Sequence, residues 1–315
     1  MHRASLSSKL AGMPRHLLLL TAVAFVASSI HAQPVEAPAT QPVDVGPPAH
    51  LPYTVTRFAR EGPVTGVAIK LDLSDPRVRV GMSLADDRDP DGAGPAVGRL
   101  DTIVSAAAKQ DLEIATNASY FGVTGNRTVQ GKAIGYFVGN GSFPAGFLMV
   151  NGKLLGEPKK DGLRAALVFH NDGRVTIEAK LDALPADTKD AVSGSAKILT
   201  AGALTPPEKD EARHPRTAVG LSEDGKTMIL LAIDGRRPTV SRGTTLAETA
   251  TFLKEFGASD GINLDGGGST TMVVKDAVTG VHAIVNKPSG IYSLVPAVES
   301  VQRPVLDVLG VQIDE

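Results

Sequence analysis

The chain has 315 residues, of which 42% are hydrophobic and 21% charged, an ordinary globular balance that excludes a disordered protein. Its formal charge is −2, and setting aside the three basic residues of the first 32 takes it to −5, which excludes a general binder of nucleic acid. Cysteine and tryptophan are absent and aromatic residues make up 4%, so the fold must rest on its core without disulfides, and a stacking-dominated carbohydrate module is disfavoured.

Arg3, Lys9, Arg15 and His16 precede an apolar run from Leu17 to Ile30 and small residues up to Ala32, with no acid among them. This pattern predicts a secretory signal over residues 1–32, cut after Ala32 or at the rival Ala27-Ser28-Ser29. The apolar run is shorter than the ~20 residues a spanning helix needs. The expectation is therefore a periplasmic or secreted protein of a bacterial envelope, with no stable membrane anchor after cleavage. Residues 33–50 hold Pro34, Pro38, Pro42, Pro47 and Pro48 and read as a linker. From Leu51 no comparable break or repeat follows, so residues 51–315 are expected to form one domain.

Within it, Val64 to Leu73 and Val78 to Ser83 are strand-like, Asp86 to Gly98 is loop, and Arg99 to Gln110 carries a helical repeat of apolar residues. Glu113 to Thr116 predicts a short strand ending at Asn117. The middle reads as hairpins: Ala133 to Val138, Gly146 to Val150, Ala165 to His170 and Val175 to Glu178, with turns at Asn151-Gly152 and Asn171-Asp172-Gly173. Leu181 to Leu199 is ambiguous. Thr227 to Ile233 is a continuous apolar run that suits a buried strand, and Thr245 with Glu248 has the spacing of a capping box opening a helix over 245–256. Gly261 to Leu264 is a strand again. The expected fold is α/β (α+β): a mixed β-sheet with packed helices, in which a C-terminal strand–helix–strand unit with parallel strands carries the site.

Asp234 and Asp265 each leave the carboxyl end of one of these strands, where open α/β sheets place ligands. Asp265 runs into Gly266, Gly267 and Gly268, then Ser269 and Thr270. Three glycines in a row predict a tight turn or backbone lying close to a ligand, with amides free to face an anion. Paired aspartates suit glycosyl transfer, and their alternative is turn capping. Arg216, Arg236, Arg237 and Arg242 offer planar forks for phosphate oxygens, against the alternative of a solvated charged face. Asn117, with Ser119, Tyr120 and Phe121, marks another strand exit. No His-rich or Asp-x-Asp-x-Asp spacing accompanies the aspartates, and neither a dinucleotide fingerprint nor a P-loop is present, so neither metal nor cofactor is expected.

The runs HPRTAVGL (His214 to Leu221), IDGR (Ile233 to Arg236), TLAETATFLKEFGA (Thr245 to Ala258) and NLDGGGSTTM (Asn263 to Met272) together resemble the phosphodiester glycosidase family. TNASYFG (Thr116 to Gly122) is similar to that family's Asn-Gly-Gly-Phe-Phe region, with Ala118 and Ser119 where glycines are usual, and QRPV (Gln302 to Val305) extends the match. The resemblance implies hydrolysis of a sugar-1-phosphodiester at the anomeric carbon, giving free sugar and a phosphomonoester. It implies Asp265, Asp234 and Asn117 as catalytic residues. It implies Arg216, Arg236, His214, Gly266, Gly267, Gly268, Ser269, Thr270, Tyr120 and Arg303 as substrate-binding. The competing reading is a non-catalytic envelope protein that binds an anionic glycan in exopolysaccharide assembly or export.

Overall fold

The fold follows from which faces of which strands are apolar. In the computed structural model the described residues are 51–314, without 89–91, 93, 130, 160, 210–211 and 291–300. The expected signal over 1–32 and linker over 33–50 lie outside them. Twenty-two strands and two α-helices, Ile103–Gln110 and Leu246–Glu255, make up the regular structure of the described residues, together with one short 3₁₀ turn.

The largest sheet has seven strands in the order Tyr53–Arg60, Val64–Asp72, Thr227–Ile233, Arg216–Leu221, Asp260–Asn263, Ala196–Thr200, Ala203–Leu204, and every neighbouring pair is antiparallel. A second sheet of five runs His282–Ile284, Met272–Lys275, Ile114–Asn117, Asp307–Ile313, Val78–Leu84. A third of five runs Lys153–Gly156, Leu148–Val150, Thr188–Gly194, Ala165–His170, Val175–Glu178. Inner residues of all three meet in one cluster, among them Val67, Ile69, Leu230, Met82, Ile114, Leu309, Leu148, Leu167 and Val192.

These observations correct the expected helix-packed α/β class: the protein is mostly β, built of several antiparallel sheets. The reason lies in Thr227–Ile233. Its even-numbered side chains Met228, Leu230 and Ala232 face the common core, whereas Ile229, Leu231 and Ile233 pack beneath helix Leu246–Glu255 with Phe58, Ala250 and Leu253. Covered on both faces, the strand needs no polar alternation, so its composition mimics a parallel strand although both neighbours are antiparallel. Thr227–Ile233 and Asp260–Asn263 run in the same direction, yet they do not touch, because Arg216–Leu221 lies between them and pairs with each.

The helix linking them begins as its residues dictate. Thr245 Oγ1 accepts the Glu248 amide at 3.2 Å and Glu248 Oε2 accepts the Thr245 amide at 3.0 Å, the reciprocal capping box. Asn151 and Gly152, with φ of 49° and 75°, close a hairpin between Leu148–Val150 and Lys153–Gly156. Leu181 to Leu199 resolves into two strands, Thr188–Gly194 and the start of Ala196–Thr200.

Candidate active site

The apolar strand Asp260–Asn263 ends beside Arg216–Leu221, and the chain continues into the glycines under tight backbone control. The Leu264 amide donates to Thr217 O (2.9 Å), that of Asp265 to Ala118 O (3.0 Å), and that of Gly267 to Pro215 O (2.8 Å). The Gly267 amide is thus spent inside the protein, which corrects the expectation that this donor faces a ligand. Glycine is required for a different reason. A Cβ at Gly266 would sit 2.6 Å from Pro215 O, and Gly267 has φ +62° with the Arg236 guanidinium where its side chain would be.

Asn117 ties this loop down from the second sheet. Its Nδ2 donates to Asp265 O at 2.5 Å, and its Oδ1 accepts from Thr217 Oγ1 at 2.8 Å and the Thr271 amide at 3.2 Å. Fully engaged and buried, it holds three segments together and does not reach the cavity. Thr270 is buried likewise, its carbonyl accepting from Asn286 Nδ2 at 3.2 Å.

The loop floors a cavity of ≈ 490 Å³, within the ~300–1,000 Å³ usual for small-molecule sites. Its walls bring together Asp265, Gly266, Gly267, Gly268, His214, Arg216, Arg236, Arg303 and Tyr120 of the expected site, with Phe121, Tyr136 and Leu163 among the other lining residues. Among the described residues that line it, Asp265 is the only carboxylate and faces three arginines. Asp265 is 8% exposed; its Oδ2 accepts from Ser269 Oγ at 2.5 Å and from Arg303 Nη2 at 3.2 Å. Burial raises its pKa from the ordinary carboxylate value, while the Arg303 charge, Ser269 and the Gly266 amide act the other way.

The arginines divide by partner. Arg303 also donates to Ser269 Oγ. Arg216 is buried, with Nε on Thr244 O (3.0 Å) and Nη2 on Ala212 O (2.8 Å). Arg236, left-handed at φ +60°, makes no hydrogen bond or ion pair to the described residues, and desolvation and the Arg303 charge lower its pKa against the opposing pull of Asp265. Tyr120 OH accepts from Asn263 Nδ2 at 3.1 Å, and burial raises its pKa. His214 lies on the rim and pairs by backbone with Thr244.

Asp234 is placed elsewhere. Its Oδ2 accepts from Thr65 Oγ1 at 2.7 Å and its Oδ1 from the Lys287 amide at 2.6 Å and Asn286 Nδ2 at 3.3 Å, all away from the cavity wall. It fastens the loop that carries Arg236. A further carboxylate went unread in the sequence: fully buried Asp307 accepts from the Ser119 amide at 2.9 Å and from Ser119 Oγ, with burial and the nearby Asp265 charge pushing its pKa up to about 6. Its only sequence signal was an acid amid the apolar Val305 to Val311. No three His, Asp or Glu side chains gather in metal-holding geometry among the described residues.

An antiparallel β-fold with a glycine-floored, arginine-lined pocket around one aspartate defines a site for an anionic substrate. The family profile of phosphodiester glycosidases matches residues 110–312, and the chain belongs to that family. N-acetylglucosamine-1-phosphodiester alpha-N-acetylglucosaminidase of Mus musculus is 48% identical over 59 residues, and that of Bos taurus matches to the same extent. The aligned stretch is 19% of this chain and 11% of either relative, so the chain spans a small part of their length. The catalytic domain of the zebrafish enzyme, auto-inhibited by its pro-peptide, superposes with a TM-score of 0.55 at 22% identity, over 84% of this chain and 82% of that one. A hypothetical protein from Synechocystis gives 0.56 at 14% identity, over 83% and 62%. Both show likeness of fold.

Proposed function

We propose that this chain hydrolyses a sugar-1-phosphodiester at the anomeric carbon, releasing free sugar and a phosphomonoester. The observation that carries this reading is that, among the described residues of the cavity lining, a single carboxylate is set among three arginines. An ordinary glycosidase needs two carboxyl groups because its leaving alcohol must be protonated. A phosphate monoester departs as a stable anion, so it demands neutralisation of charge rather than a proton, and a site with one carboxylate and several guanidiniums supplies that. In this mechanism Asp265, whose charged form Arg303 and Ser269 favour against burial, attacks or stabilises the electron-poor anomeric carbon. Arg236, which makes no hydrogen bond or ion pair among the described residues, receives the departing phosphate, with Arg216 behind it. Asp234 and Asn117 act by holding the loops.

The test is release of N-acetylglucosamine from the methyl diester of its α-1-phosphate, that sugar being taken from the name of the mouse and bovine relatives. Turnover that disappears in Asp265→Asn is expected. Tight binding of this and related diesters with no cleavage would instead favour the glycan-binding reading. Export remains part of the proposal, supported by the basic start and apolar run of residues 1–32. Envelope protein whose intact mass lacks those residues is expected, and full-length chain in the membrane fraction would count against it.

A further inference from the structure

Arg303 is held on two sides by different chemistry. On one side its Nη2 meets Asp265 and Ser269. On the other, its Cζ lies 4.3 Å from the Tyr136 ring centroid and 5.6 Å from that of Phe121, and the two rings meet edge to face at 5.8 Å. Among the described residues the Nε of Arg303 is buried without a hydrogen-bond partner, so on that side the guanidinium is held by packing on the aromatic corner rather than by a polar contact. A cation packed on a ring face gains more as water is excluded from it. Tyr136 follows the exposed hairpin of Arg127–Val129 and Lys132–Ile134, whose base is clamped by Asn140 Nδ2 on Gly125 O (2.8 Å) and Gly135 O (2.6 Å). Tyr136 itself is 41% exposed at the cavity mouth.

We propose that Tyr136 is a positioning residue: its ring holds the Arg303 guanidinium against Asp265 and Ser269 and leaves Arg236 to the phosphate. The proposal rests on reading the cavity as a phosphodiester site. Six groups face Asp265 or its surroundings: Arg303, Arg236, Arg216, Asp307, Tyr120 and His214. Of these Arg303 alone both hydrogen-bonds and ion-pairs with it. Burial pushes the Asp265 proton affinity up and Arg303 partly offsets this, so a loosened Arg303 lets it rise further.

The experiment follows Arg303 side-chain resonances in arginine-labelled protein, assigned by their loss in Arg303→Lys, as Asp265 titrates. Tyr136→Ala is expected to move the midpoint upward by about 0.5–1 pH unit, and Tyr136→Phe to leave it where the wild type has it. Tyr136→Leu keeps apolar bulk without a π face and is expected to shift it as alanine does. Val138→Ala, at an exposed neighbour, is the control that should not move it. With the methyl diester, Tyr136→Ala is expected to lower kcat by about 3- to 30-fold with a smaller change in KM, and to carry the acid limb of the pH profile upward. A folded Tyr136→Ala protein with a wild-type midpoint overturns the inference, as does a leucine variant that behaves like phenylalanine. The resonance midpoint decides this even where the wild type cleaves no diester, an outcome that fells only the functional reading.

Discussion

At the scale of single residues, the proposed chemistry concentrates on Asp265 and Arg236. Asp265→Asn keeps the shape of the side chain but removes the charge proposed to face the anomeric carbon, so turnover should fall at least ~100-fold while affinity changes far less. Kinetics of the diester with calorimetry on the variant check this, and wild-type turnover would refute the assignment. The pH profile has a determined sign. The proposed mechanism needs Asp265 ionised and its pKa is raised by burial, so rate should be lost as pH falls, beginning above the ordinary carboxylate range. Arg236→Ala should mainly raise KM, and Arg236→Lys should recover part of it, because a point charge replaces a planar fork. Both residues were legible in the sequence, for each follows a strand at a glycine. Arg303 was reached only through the family resemblance and Tyr136 not at all, since a cation–ring stack between residues so far apart leaves no local pattern.

Among elements, the glycine loop and the residue that ties it carry the geometry. Gly266→Ala would push a methyl against the Pro215 carbonyl, a backbone atom that cannot swing aside, and should cost about 1–3 kcal/mol and most of the activity. Asn117→Ala removes three hydrogen bonds, strands the buried Thr271 amide and Asp265 carbonyl and leaves the Thr217 hydroxyl only its 3.4 Å contact to Thr270 Oγ1, an expected loss of about 2–4 kcal/mol. Chemical denaturation of the two variants measures both. A stable Asn117→Ala protein that is merely inactive would make Asn117 a participant in the chemistry. The helix start at Thr245 and the turn at Asn151-Gly152 were readable because capping and turn chemistry are local. Strand direction was not, because the apolar run of Thr227–Ile233 records burial on two faces and says nothing about which neighbour supplies it.

For the molecule as a whole, two buried carboxylates set opposite pH dependences. Asp86, beside Arg88, is held down at about 2, so its contribution is present above the ordinary carboxylate pKa and lost as pH falls toward 2. Asp307 binds its proton more tightly folded than unfolded, so its effect runs the other way: stability declines as pH rises from about 4 through 6, by up to about 3 kcal/mol. Melting temperatures between pH 4 and 7.5 should show Asp307→Asn gaining on the wild type as pH rises, and a constant gap between the curves would contradict this. The sheet order itself was beyond sequence reading, since Ile114–Asn117 pairs with Met272–Lys275 and Asp307–Ile313, partners that no spacing announces. That last strand lies between Ile114–Asn117 and Val78–Leu84, an interior place in its sheet, and begins with the acid that grips Ser119 beneath the pocket. The pocket therefore depends on this strand being in place. Until Asp307–Ile313 has been made and threaded between strands already present, Asn117 lacks a neighbour and the glycine loop lacks its anchor. In refolding the pocket should form only with the slow, long-range step that closes this sheet.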